Sequence, residues 1–262
     1  MKNLFKTLIA VAIVSVTVQS CKKGEDDPGL SLSSRKARFA GEWKIDTMED
    51  AGTSVSTNNS SSSITTSTNV YTTKITGNTY ISTSNRTSTA SGSTASTTTT
   101  NGTVSEATYT IEKDGTWSSV MTLKLTSETD VFGGVSTTDA IDETMKIESS
   151  GTWQFLGKNS SADLKNKEAV LLSTAKETTT YTSVSTTGGS SKSEQVTTST
   201  YALNENTEVW TLSQLAKKEM VANVTYDNTY TGKITFTSGS SSTTSNDGPD
   251  SDKGTTKITF KQ

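Results

Sequence analysis

The residues able to do chemistry in this sequence are few, and their spacing limits what they can do. Asp250-Ser251-Asp252-Lys253-Gly254, with Asp247 just upstream, has the beginnings of a calcium loop. An EF-hand loop needs an oxygen ligand at its fifth position, glycine at the sixth and glutamate at the twelfth. Here Gly254 falls fifth and no glutamate follows at the twelfth, so the segment reads as an acidic turn before the last strand. Glu143 is the sole acid on the apolar parity of residues 141–147. With no basic partner in sequence to support acid–base work, it reads as a residue set at the mouth of the fold by a bulge or register shift. The chain has no histidine and a single cysteine. That removes Ser-His-Asp and Cys-His machinery and the usual zinc sites, and excludes a disulfide framework within one chain. Lys and Arg number 24 against 27 acids, a formal charge of −3 that gives no basic footprint for nucleic acid. No enzyme activity, metal or cofactor is expected.

The one cysteine has a different use. Lys2 and Lys6 precede an apolar run, Leu8–Val18, interrupted only by Ser15 and Thr17. This is the layout of a secretory signal, and the run is too short for the roughly 20 residues of a spanning helix. Val18-Gln19-Ser20-Cys21 then resembles a bacterial lipobox. That resemblance implies cleavage before Cys21 and its acylation, and several acyl chains anchor a protein far more firmly than one. Residues 1–20 are therefore expected to be a lipoprotein signal peptide, and residues 21–40 a lipid-anchored tether. Cys21-Lys22-Lys23 and the acidic Glu25-Asp26-Asp27 are similar to the start of Bacteroidota lipoproteins. The likeness implies an outer-membrane location, on the periplasmic or the extracellular face.

Beyond residue 40 the pattern has period two, as half-buried strands require. In 116–126, Trp117, Met121, Leu123 and Leu125 share one parity, with mostly polar residues on the other. Tyr109 and Ile111 alternate with polar residues just upstream, and Lys113-Asp114-Gly115 joins the two runs through the strongest short hairpin signal. Similar alternation recurs around Met145, Trp153 and Phe155, Val170, Trp210, Met220, Phe236 and Phe260, which predicts nine to eleven strands. A short helical turn is expected within 33–40, capped by Ser33 or Ser34. Ser and Thr make up 94 of the 262 residues. Tracts at 53–63, 83–102, 183–194 and 238–254 are too poor in apolar residues to bury anything, so they read as solvated loops or hairpin extensions. One domain is expected over 41–262.

Antiparallel strands with a single apolar face must pair two sheets or close on themselves. Asp114-Gly115 and Asn204–Asn206 suggest local hairpins and up-and-down order. Gly41-Glu42-Trp43, Gly115-Thr116-Trp117 and Gly151-Thr152-Trp153 each place a large ring one or two positions into a strand, where it would plug a barrel floor. The first triplet resembles the lipocalin Gly-x-Trp motif, with Gly41 and Trp43 in its structural positions. Lys113–Trp117, Gly151–Phe155, Asp163–Glu168, Val209–Leu215 and Lys217–Val221, in that order, resemble lipocalin-like lipoproteins of Bacteroidota. The resemblance implies an all-β, antiparallel, up-and-down lipocalin-like β-barrel with long Ser/Thr-rich loops or hairpin extensions. It departs from the family in lacking a C-terminal arginine to cover Trp43; Lys233, Lys257 or Lys261 would have to serve.

The function expected from this reading is non-catalytic binding of a small apolar or amphipathic molecule in the barrel. Trp117, Met121, Leu123, Trp153, Phe155, Trp210 and Phe236 are the candidate lining residues. The same residues would equally fill a small barrel with side chains. The alternative is a cell-surface interaction or adhesion module with a filled core, whose Ser/Thr-rich loops contact a protein or glycan. The expected partners are the membrane through the anchor and a small ligand, with no nucleic acid, in a monomer.

Overall fold

The computed structural model describes residues 35–59, 64–90, 93–156, 168–185, 191–230, 233–238, 241–247 and 250–262. The signal segment and Cys21 lie outside the described residues, as do residues 157–167. A short helix, α1 (Arg35–Phe39), leads into β1 (Gly41–Asn59). The strands β2 (Ile64–Thr76), β3 (Thr79–Ser88), β4 (Ser96–Ile111), β5 (Thr116–Phe132), β6 (Val135–Phe155), β7 (Glu168–Ser185) and β8 (Ser191–Thr200) follow. Then come β9 (Asn206–Leu215), β10 (Glu219–Tyr230), β11 (Lys233–Ser238), β12 (Ser241–Asp247) and β13 (Asp250–Lys261). Among the described residues these thirteen strands form one antiparallel sheet.

The sheet is ring-like because β1 pairs on both sides. Its first residues pair with β4, Gly41↔Ile111 through Lys44↔Thr108, while Lys44–Val55 pair with β13. From β4 the ladder runs through β5, β6, β7, β9 and β10 to β13, and so back to β1. Higher up, β1 and β4 part, and the β2–β3 hairpin fills the gap by pairing with each of them. Its tip, Gly77-Asn78, needs the left-handed backbone that glycine accepts (φ 55° at Gly77). The tip is tied down at both ends: Gly77 N–H donates to Asp46 O at 2.9 Å, and Val104 N–H donates to Asn78 O at 2.9 Å.

The period-two expectation holds in the lower half of the ring, where the apolar parity faces inward and is buried. Trp43, Ile111, Trp117, Val170, Trp210, Met220 and Phe260 form an aromatic-rich floor. Phe39 of α1 closes it from below, edge-on to Trp153 at 4.8 Å. Trp43 Nε1 donates to Phe39 O at 2.8 Å, and an Arg38 guanidinium nitrogen donates to Leu215 O at 2.8 Å, so the helix is bonded to two sides of the ring. Arg35 adds an ion pair to Glu168 at 3.1 Å.

The Ser/Thr tracts, where described, take the hairpin-extension form of the two expected: they lengthen β1, β3, β4, β7 and β8, because backbone pairing proceeds without an apolar parity to announce it. Four expectations change. The strand number rises to thirteen among the described residues, for the same reason. Asp250–Lys253 is not a turn but the start of β13, held between β1 and β10. Asn204 (φ 64°) does not make a hairpin; residues 201–205 step outward and return, so that β8 and β9 both pair with β7. Finally, Trp153 lies near the end of β6, not its beginning. Since β6 runs downward, the ring reaches the same floor as Trp43 and Trp117.

Trp43 is fully buried and supplies one of the bonds holding α1. Trp43→Ala is expected to cost about 3–5 kcal/mol, the usual range for emptying a buried aromatic site, read as a fall in the denaturant midpoint. A midpoint unchanged from the parent would contradict the floor described here.

Candidate functional site

The sequence-selected residues converge, but on one another. Trp117, Leu123, Trp153 and Trp210 are buried in the core, with Met121 and Phe155 packed against it. Tyr109 bridges the cluster, stacked 5.9 Å from Trp117 and edge-on to Trp210 and Phe260 at 5.3 and 5.5 Å. Trp210 and Phe260 stack at 5.5 Å. The indole nitrogens are also occupied: Trp117 donates to Thr152 O, Trp153 to Glu112 O and Trp210 to Glu208. Phe236 lies on β11, and its side chain is outside the described residues. Lys36 lies over the Trp153 indole face, 5.8 Å from its centroid. Lys261 instead bridges to Asp46 at 2.9 Å on the outer face.

Above the floor, the inner face changes character. On one side, Met48, Tyr80, Met121, Leu125 and Met145 continue the apolar lining as half-buried side chains. On the other, β1, β2, β10 and β13 place a polar belt. Tyr71 Oη donates to Asp252 at 2.8 Å and lies 2.8 Å from Tyr226 Oη, while Tyr226 donates to Asp50 at 3.0 Å. Thr256 adds a bond to Asp50 at 2.8 Å. This belt needs the glycine pair Gly52↔Gly254. A methyl on Gly52 would stand 2.6 Å from Tyr71 Oη, and one on Gly254 would collide with Tyr226 Oη and the Ala51 carbonyl. The glycines are where two phenols enter. In the sequence the belt's signal is confined to Tyr71, Tyr226 and two strand glycines, and only register brings them together.

Glu143 does sit on the inner parity beside a bulge, the register shift between Leu125 and Ser127. Across the ladder it pairs with Ser183, and Tyr181, opposite Met145, lies near enough for the Glu143 carboxylate to act on its hydroxyl. Charge is sorted by face. Lys74, Lys124, Lys146 and Lys261 bridge outer acids Glu49, Asp142, Glu148 and Asp46. The inner parity carries Asp50, Glu128, Asp130, Glu143, Glu177 and Asp252, which accept from inner hydroxyls such as Thr98, Ser149 and Tyr71. Among the described residues no group of three or more carboxylate or thiol side chains is placed to hold a metal ion.

A second concavity opens on the outer wall, at the fork where β1 and β4 separate. It encloses about 570 Å³. Ile45, Val104 and Ala107, buried residues at the edge of the core, form its narrow apolar floor where the strands fork. Its walls carry Glu42 and Lys44 from β1, Asn78 from the hairpin tip, Ser105, Glu106, Thr108 and Thr110 from β4, and Ser118 from β5. Cross-strand register orders them in rows, Glu42–Thr110–Ser118 and Lys44–Thr108–Val120. Two irregularities frame the crevice: the β1 shift between Ile45 and Thr47, and the β4 shift between Val104 and Glu106. Bulges of this kind re-aim side chains and bend the wall.

Burial raises the Tyr71 hydroxyl well above its ordinary value, and its bonds to Tyr226 and Asp252 add to the rise. Tyr226 is pushed up to about 12, by burial first, with the Asp50 carboxylate adding and the Tyr71 bond opposing. Tyr181 is pushed up to about 12 by burial and then by Glu143. Unfolded phenols ionise near 10. These tyrosines therefore contribute stability that is complete below pH about 10 and is lost as pH rises through about 12. The denaturant midpoint is expected to be flat from pH 8 to 9.5 and to fall above pH 10, less steeply in a Tyr71→Phe, Tyr226→Phe double variant. An identical slope in both proteins would refute the belt's role.

Comparison of the chain with protein-family models, with curated proteins and with solved structures finds no match in any of the three.

Proposed function

We propose that this chain is a non-catalytic, lipid-anchored, lipocalin-like β-barrel of the outer membrane that works as a surface interaction module. The observation that carries this reading is the filled floor: the large apolar side chains at the bottom of the ring are spent on one another and on Phe39. The anchor would enter at that end. Arg35 begins the described chain directly beneath the floor, after the tether that follows Cys21. The long hairpins run the other way. β5 has 17 residues, so its tip stands about 50 Å from its base at about 3.3 Å per residue. At that tip Phe132 and Val135, 58% and 67% exposed, flank the Gly133-Gly134 turn. A module presented at the end of a tether, with its contact residues far from the membrane, is consistent with this polarity.

A second reading is supported by the upper inner face. Half-buried Met121, Leu125 and Met145 stand opposite the Tyr71–Tyr226 belt and its carboxylates. Such a face suits an amphipathic molecule with a cationic head.

Native mass spectrometry of protein extracted gently from its host separates the two. The interaction reading expects the mass of the acylated chain alone, and Cys21→Ala is expected to shift the protein from membrane to soluble fractions. A small amphiphile retained across repeated preparations would overturn it in favour of the second reading. Membrane retention of the Cys21→Ala variant would overturn the anchor.

A further inference from the structure

We propose that the crevice at the β1–β4 fork is a saccharide site, taking a short neutral or amino-sugar oligosaccharide. It rests on the interaction reading and adds to it a ligand class and a second contact place, low on the outer wall and apart from the hairpin tips.

The crevice is built by topology, not by a loop that happens to fold back. β1 pairs with β4 only as far as Lys44↔Thr108, and the β2–β3 tip is then bonded between the separated strands by Gly77 and Asn78. Three strands and one turn thus fix its walls, and about 570 Å³ falls within the usual range for small-ligand sites. Its floor is apolar and narrow: Ile45, Val104 and Ala107. Apart from Val120 on the β5 side, its rim is polar, and it mixes acceptors with donors: the Glu42 and Glu106 carboxylates, the Lys44 ammonium, the Thr108 and Ser118 hydroxyls and the Asn78 amide.

That combination selects a ligand class. A hydrocarbon or acyl chain would desolvate this rim without pairing its polar groups, which is costly. A pyranose offers a C–H face to the apolar floor and a girdle of hydroxyls, each both donor and acceptor, to the rim. Carboxylates accept from adjacent sugar hydroxyls, while Lys44 and Asn78 donate to ring and hydroxyl oxygens. The rim carries two acids against one lysine, so an acidic sugar is disfavoured relative to a neutral or amino sugar.

The test is saturation-transfer difference NMR on the soluble chain (signal removed, Cys21→Ala). The probes are maltotriose, mannotriose, chitotriose and, as the acidic counterpart, trigalacturonate. At least one of the first three is expected to bind, and at least tenfold more tightly than trigalacturonate. Because Glu42 and Glu106 are both exposed, a Glu42→Ala, Glu106→Ala double variant keeps its fold and is expected to lose at least tenfold in affinity. Glu148→Ala, on the outer face of β6, serves as the control and is expected to bind as the parent does. Silence from all of the neutral and amino-sugar probes would overturn the site, as would binding unchanged in the double variant or equal for trigalacturonate. Those failures leave the mass-spectrometric test of the interaction reading untouched, so the two stand or fall separately.

Discussion

The ring depends on what happens at Trp43. Its strand pairs with β4 over Gly41–Lys44 and with β13 from Lys44 onward, and so joins the two ends of the ladder. Its indole must fill the floor and hold the helix below through the bond to Phe39 O. Backbone pairing alone would not favour this geometry over an open sheet with two free edges. Burying Trp43, Trp210 and Phe260 against Tyr109 makes closure favourable, because a closed lower ring removes these aromatic faces from water together. Edge strands are a liability that closure removes.

Once the floor is filled, the rest of the interior follows from what remains to be buried. The strands continue upward on pairing alone, and their inner parity is filled with groups that can satisfy each other. Tyr71 and Tyr226 meet across the Gly52↔Gly254 pair and are held by Asp50 and Asp252. Pairs such as Thr73–Ser82 and Ser84–Asn69 do the same on a smaller scale. The fork at β1 and β4 is the geometric cost of inserting β2 and β3 above a ring too narrow to hold them. The crevice is therefore a direct consequence of the same closure, and its mixed rim and apolar floor arise because the fork cuts through to the edge of the core.

How much of this the sequence disclosed depends on which force acts at each position. Where burial decides, the alternation of Trp117, Met121, Leu123 and Leu125 or of Ile258 and Phe260 was readable, as were the Asp114-Gly115 turn and the short helix before Gly41. Where backbone pairing decides, it was not: Thr97–Thr100 in β4 and the strands β2 and β8 carry no apolar parity, so they read equally as loop. Asp252 was visible as an acid but not as Tyr71's partner, since that contact joins residues 181 positions apart. The crevice was illegible for the same reason: Glu42, Asn78 and Glu106 meet only through register. The misread turn at Asn204 shows the limit of local signals, because a left-handed residue marks a reversal without saying which strand the chain rejoins.

The central claim is that β1 closes the ring at its base by pairing with β4 and β13 together. Amide hydrogen exchange resolved by residue tests it most directly. The account predicts that Trp43–Ile45, Tyr109–Ile111 and Ile258–Phe260 exchange slowest in the chain, in one cooperative group, and that the outer edge of β8 exchanges quickly. Rapid exchange of Trp43–Ile45, at the rate of the β8 edge, would mean an open sheet and would contradict it.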